Sequence, residues 1–365
     1  ILRNLQFTFL SMPFKNALTG KELFAKSAQA VIISNSIKIG LIFCLYLTHA
    51  VTLFNVSVTL AISNFIELLV YIINSYKVFN KSFFSKSIDL KFYKQLLRES
   101  LPQLGVIIFD SAFARIDWIL LGLLSTTNAA VNTAEYSFAY KIFELSRLPL
   151  LILAPILFTR FSKLFFNPAN ITNEVSSGIY SFFKIELIIG MIIPLLLNIS
   201  WTPLMQFFTS GKYGPENEHI YFILSLTVPI MYMINFLWTI AFAQGQLKLT
   251  MSLSIINSVL NVIMNIILIP LYGQTGAALS FLICNVIMFP IYLYFVNQKH
   301  IKFPVKESVI VVLIATVTGV GCYFIPIFFI YKCCICVLLY ILIIYGLKIL
   351  TFAEIKTLKH FINKN

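Results

Sequence analysis

The apolar residues of this chain come in unbroken stretches, not in the alternation of a half-buried strand or the narrow stripe of a surface helix. A helix of about twenty residues rises roughly 30 Å, the thickness of the hydrocarbon layer of a bilayer. Only helices and closed barrels satisfy their backbone in lipid, and barrel strands alternate, so continuous stretches read as helices. Windows bounded by polar residues, Gly or Pro predict spans at 1–18, 28–48, 53–76, 101–124, 134–158, 179–200, 219–243, 249–270, 275–297, 306–330 and 333–352. That is an all-α, polytopic membrane protein of about eleven transmembrane helices, the first of them weak.

Composition narrows the class further. Of 365 residues, 59% are hydrophobic and only 11% charged, with a mean hydropathy of +0.89, against roughly 25% charged in soluble domains. The excess of 27 Lys and Arg over 14 Asp and Glu sits in the breaks between spans, where it reports orientation and not nucleic-acid binding. Nineteen basic residues fall on one side, from Lys15, Lys21 and Lys26 to Lys348, Lys356, Lys359 and Lys364, and only Lys212 and Lys332 on the other. Because Lys and Arg near spans resist translocation, the basic side is cytoplasmic and the C-terminus lies inside. The basic connection over 77–100 reads as a cytoplasmic, lipid-hugging linker between two lobes: 1–76 before it, 101–297 after it, with a pair of further helices and a tail over 298–365. VSVTLAISNFIELLVYI (56–72) echoes GAALSFLICNVIMFPIYL (276–293), aligning Asn64 with Asn285, as expected of paired bundles. The chain opens on Ile1 directly in membrane-like sequence, which reads as a fragment whose start is missing.

Charges inside the spans carry the chemistry. FDSAFARIDWILLGLL (109–124) holds Asp110, Arg115 and Asp117, and the returning span holds Lys141, Glu144 and Arg147. Counting inward from their shared outer turn levels Asp117 with Lys141, Arg115 with Glu144 and Asp110 with Arg147; the preceding hairpin levels Lys38 with Glu67. A charge at mid-bilayer costs on the order of 2.5–3.5 kcal/mol, so such groups either pair or line a wet cavity. Arg115 and Asp117 lie about 200° apart on the helical wheel and cannot both face one partner. Tyr136, Tyr140, Glu144 and Arg147 fall on one face of the returning helix, a polar wall. Asn257, Asn261 and Asn265, with Ser254 and Ser258, make a stripe suited first to interhelical hydrogen bonds and second to sugar or phosphate. Lys184 and Glu186 read as snorkelling toward an interface.

No cofactor or metal is indicated. The sequence has no GxxxxGK[ST], HExxH or GxSxG, its four His are scattered, and five of its six Cys lie in apolar runs suited to packing. Predicted external loops are short, which makes an enzyme the weaker class.

Three stretches carry a family likeness. ARIDWILLGLLSTTNAAVNTAEYSFAYKIFELSRLPLL within 114–164 resembles helices seven and eight of polysaccharide transporters of the O-antigen flippase type. IPLYGQTGAALSF (269–281) is similar to a turn shared with multidrug exporters and the peptidoglycan-precursor flippase, and LTGKELFAKSAQAVIISNSIKI (18–39) resembles the approach to helix five. The resemblance implies a two-lobed carrier of fourteen helices, of which this chain has the fourth to fourteenth. It implies that the chain flips an undecaprenyl-diphosphate-linked oligosaccharide across the bacterial inner membrane through a cationic cavity, for O-antigen or another surface polysaccharide. Arg115, Asp117, Lys141 and Glu144 match its motifs, whereas Asp110 and Arg147 rest on depth alone. On this reading Arg115, Lys141, Arg147, Tyr140 and Lys38 contact substrate, and Asp110, Asp117, Glu144 and Glu67 pair with bases or couple to H⁺ or Na⁺. A monomer touching membrane lipids and polymerase machinery is implied. A multidrug-type exporter and a membrane-embedded polymerase or glycosyltransferase are the alternative readings.

Overall fold

A computed structural model describes residues 2–79, 90–125, 128–166, 173–296, 305–351 and 354. Residues 80–89 of the predicted linker and the tail beyond Glu354 lie outside the described residues, and so do the expected basic groups Lys81, Lys86, Lys299, Lys302, Lys356, Lys359 and Lys364. Among the described residues the regular structure is helical, without strands: α1 (Leu2–Gly20), α2 (Phe24–Leu47), α3 (Leu53–Phe79), α4 (Leu90–Leu124), α5 (Ala129–Phe143), α6 (Leu148–Phe166), α7 (Asn173–Thr209), α8 (Pro215–Leu226), α9 (Val228–Ala243), α10 (Leu247–Phe295), α11 (Val305–Tyr323) and α12 (Phe329–Gly346). Eight helical stretches are long and apolar enough to cross a membrane, with α10 counted once, so the chain is a multi-pass membrane protein. By composition α4 stands apart, because three charges interrupt its apolar stretch. The chain divides into two compact units, Ile1–Gln95 and Leu96–Asn365.

In the first unit, small polar residues let α2 and α3 approach closely, as is usual between helices in lipid. Ser34 Oγ donates to the Ser63 carbonyl at 3.1 Å, Asn74 Nδ2 to the Lys26 carbonyl at 3.1 Å, and Ser27 Oγ meets Tyr71 Oη at 3.4 Å. That register corrects the expected Lys38–Glu67 pair. With Ser34 opposite Ser63 in an antiparallel hairpin, Lys38 stands opposite Thr59 and Glu67 opposite Ala30, about 12 Å apart along the axis. The Lys38 ammonium instead donates to Asn35 Oδ1 on its own helix at 2.9 Å.

In the second unit the core is large and aromatic. Trp201 stacks on Tyr221 at 4.4 Å and donates Nε1–H to the Gly214 carbonyl and Asn217 Oδ1, each at 3.0 Å, which pins the C-terminal end of α7 to α8. α10 is a hairpin folded without a loop. Gly273, at φ 55° and ψ −129°, takes a backbone conformation suited to glycine, and a Cβ on Gly276 would fall on the Leu268 carbonyl. The halves run past α4 in opposite directions: Ser258 reaches the Phe109 carbonyl and Asn265 reaches Asp117, whereas Cys284 lies within electrostatic reach of Asp117 and Tyr292 of Asp110.

Lys184 and Glu186 do not snorkel. Lys184 is buried and its Nζ lies 2.6 Å from Glu354 Oε1, so a partner beyond α12 takes the place of the interface. Glu186 is buried, and its Oε1 has no hydrogen-bond partner.

Candidate functional site

α5 and α6 form one crossing interrupted in the middle. Residues Glu144–Arg147 form a turn of 3₁₀ helix between them. The cause is Pro149, which has no N–H to offer the Leu145 carbonyl; the Leu148 N–H takes that carbonyl instead, one residue early, and the turn tightens. A break at this depth needs its carbonyls satisfied from outside the helix. Tyr232 Oη on α9 donates to the Ser146 carbonyl at 3.1 Å, and the ring fits because Gly190 on α7 leaves the space a Cβ would fill. Tyr221 Oη meets Ser146 Oγ at 3.5 Å from α8.

The break gathers the charges. Glu144 receives two bases, Lys141 at 2.7 Å on one carboxylate oxygen and Arg115 at 3.5 Å on the other. Both cations also sit on the Trp118 ring, Arg115 at 4.6 Å and Lys141 at 5.5 Å from its centroid. The side chains are roughly half exposed, 47% for Arg115 and 51% for Lys141. One carboxylate serving two bases leaves a positive charge in surplus. Asp110, Arg115, Glu144 and Arg147 line one cavity of about 470 Å³ within the second unit. Arg147 lies within electrostatic reach of Asp110 without closing an ion pair, and its Nε has no hydrogen-bond partner.

Asp117 lies elsewhere. It is wholly buried, accepting from Tyr136 Oη at 2.7 Å on one oxygen and from Asn265 Nδ2 at 2.7 Å on the other. Asn265 Nδ2 also reaches Asn261, at 2.9 Å to its carbonyl and 3.1 Å to Oδ1. The expected Asp117–Lys141 pair is therefore absent: the two residues share a depth but point to opposite sides, one toward α10 and the other toward Trp118. Arg115 and Glu144 do meet, as their depths predict. The Asn stripe splits similarly, with Asn261 and Asn265 in the Asp117 cluster and Asn257 only partly buried, its Oδ1 without a hydrogen bond.

The single polar wall is divided too. Tyr136 and Tyr140 are fully buried, and Tyr140 packs among Phe143, Phe281 and Trp118 at centroid distances of 5.5, 5.7 and 5.9 Å. Its hydroxyl has no hydrogen-bond partner and does not line the cavity. The 3₁₀ turn advances about 120° per residue where an α-helix advances 100°, so by Arg147 the chain has turned roughly 60° further from the face that the tyrosines keep. In the first unit, Lys38 and Glu67 remain apart, both partly exposed. Sequence reasoning missed Trp118, Trp238 and Phe242, the aromatic side chains against the charges, because an aromatic residue in an apolar span carries no signal of its own.

No family model matches the chain, and no curated protein sequence matches it. Among solved structures it is similar to the lipid II flippase MurJ in an inward closed conformation, with a TM-score of 0.68 and 18% identity over 95% of this chain and 73% of that one. At that identity the likeness shows a shared fold: the all-helical, multi-pass architecture of that flippase.

Proposed function

We propose that this chain is a non-enzymatic carrier that flips an undecaprenyl-diphosphate-linked oligosaccharide, of the O-antigen repeat-unit kind, from the cytoplasmic to the outer face of the bacterial inner membrane. The observation that carries this reading is the cluster at the helix break: Arg115 and Lys141 sharing Glu144, with Arg147 beside them, half exposed at a depth where lipid rejects charge. Guanidinium groups match phosphate oxygens bidentately, and a lysine adds a point charge, so two partly exposed bases sharing one carboxylate suit an anionic diphosphate. The polyprenyl tail stays in the hydrocarbon. The fold shared with a lipid II flippase supports a lipid-linked cargo.

A soluble cationic drug would find Asp110 in the cavity, but it would meet Arg115 and Arg147 there as well. The buried Asp117 cluster, a carboxylate accepting from a phenol hydroxyl and an amide N–H, is the place we assign to H⁺ or Na⁺ coupling.

Complementation of a flippase-deficient host tests the reading. Lys141→Ala should insert normally and abolish surface glycan, with lipid-linked units accumulating on the inner face. Normal glycan in that variant removes Lys141 from the mechanism, and accumulation on the outer face instead points to a polymerase.

A further inference from the structure

Binding of an anionic headgroup leaves two features of the cavity unexplained. Asp110 lines it, and a carboxylate repels a diphosphate. Its other wall is aromatic: α9 places Trp238 and Phe242 one turn apart, with rings stacked at 4.8 Å between centroids and 9° between planes. Phe158 on α6 backs Phe242 at 5.1 Å, which holds the pair in place. Trp238 Nε1 and Arg147 Nε lack hydrogen-bond partners.

We propose that the Trp238–Phe242 stack, with Asp110 and Arg147, is a sugar subsite that takes a pyranose ring of the cargo. The inference rests on the reading of a glycan cargo and deepens it. A pyranose has a C–H face that packs on the negative face of an aromatic ring, and equatorial hydroxyls at its edge. A carboxylate accepts from two such hydroxyls, and a guanidinium donates to the oxygens beside them. Asp110 is then a hydroxyl acceptor instead of a misplaced charge. A polyprenyl chain needs neither the carboxylate nor the guanidinium. An aromatic organic cation would suit the aromatic wall and Asp110, but it meets Arg115 and Arg147 in the same cavity.

The test is binding to the full chain in lipid nanodiscs, read by native mass spectrometry. The probes are undecaprenyl diphosphate, the same lipid carrying one hexose, N-acetylhexosamine or uronic acid, and tetraphenylphosphonium. The wild type should hold at least one sugar-bearing lipid about tenfold more tightly than the bare lipid, the scale of one aromatic contact. Trp238→Ala and Phe242→Leu should each bring that ratio close to one and leave the bare lipid unchanged, whereas Trp238→Phe keeps most of it. A ratio that survives both truncations, or that is already one in the wild type, overturns the subsite while the lipid reading stands. Binding of tetraphenylphosphonium that depends on Trp238, without discrimination among the lipids, also overturns it. Failure to bind any of the lipids removes the carrier reading and the subsite together.

Discussion

On one face of α4, Asp117 is fully buried and answered by neutral donors; on the other, two residues earlier, Arg115 keeps 47% of its side chain exposed and shares a carboxylate with Lys141. A single helix thus handles ionisable groups at mid-membrane in both available ways. Where the neighbour is another helix, the carboxylate is buried and each of its oxygens accepts from a neutral donor; where the neighbour is a cavity, the charges stay partly exposed and one carboxylate serves two bases. Such a buried network adds to the fold, because unmatched buried donors are costly, and a half-exposed ion pair adds little. The half-exposed cluster is thus available to a ligand without the fold depending on it.

That contrast breaks most sharply at Asp117. Asp117→Ala strands the Tyr136 hydroxyl and the Asn265 amide in the core, and the loss should be on the order of 2–5 kcal/mol, read from thermal unfolding in detergent. A loss below about 1 kcal/mol would show that the two faces are not energetically distinct. Next comes Tyr232→Phe, which removes the donor from the Ser146 carbonyl and should cost about 1–2 kcal/mol while loosening the break; no change would mean that the broken turn is self-sufficient. The smallest stability effect belongs to Arg115→Ala, within about 0.5 kcal/mol, yet the same variant should lose surface glycan in the complementation assay. If it unfolds the protein instead, the half-exposed cluster is part of the scaffold.

The spans were legible because hydropathy is a one-dimensional signal and lipid reads it directly. That Arg115 and Asp117 part company followed from 100° per residue alone. Partners were harder. Counting from a turn gives depth but not direction, so it placed Arg115 beside Glu144 and wrongly gave Lys141 to Asp117, whose true partner Asn265 is 148 residues away on α10. In the first hairpin even depth slipped, since Ser34 and Ser63 set the register and not the turn. The break at 144–147 had a readable cause in Pro149, but its consequence, turning Arg147 away from Tyr136 and Tyr140, needed the surrounding helices to decide which side held the cavity.

The corner at Gly273 has a bearing on how such a protein is mapped. Two crossings are joined there by the dihedral angles of one residue, with Gly276 pressed against the Leu268 carbonyl, so no loop is left for a protease to cut or a reporter tag to occupy, although the Leu271 and Tyr272 side chains at the corner are exposed. A survey that counts passages by their accessible turns will come out two short along α10 and assign everything after it correctly, because the missed pair returns the chain to the side it left.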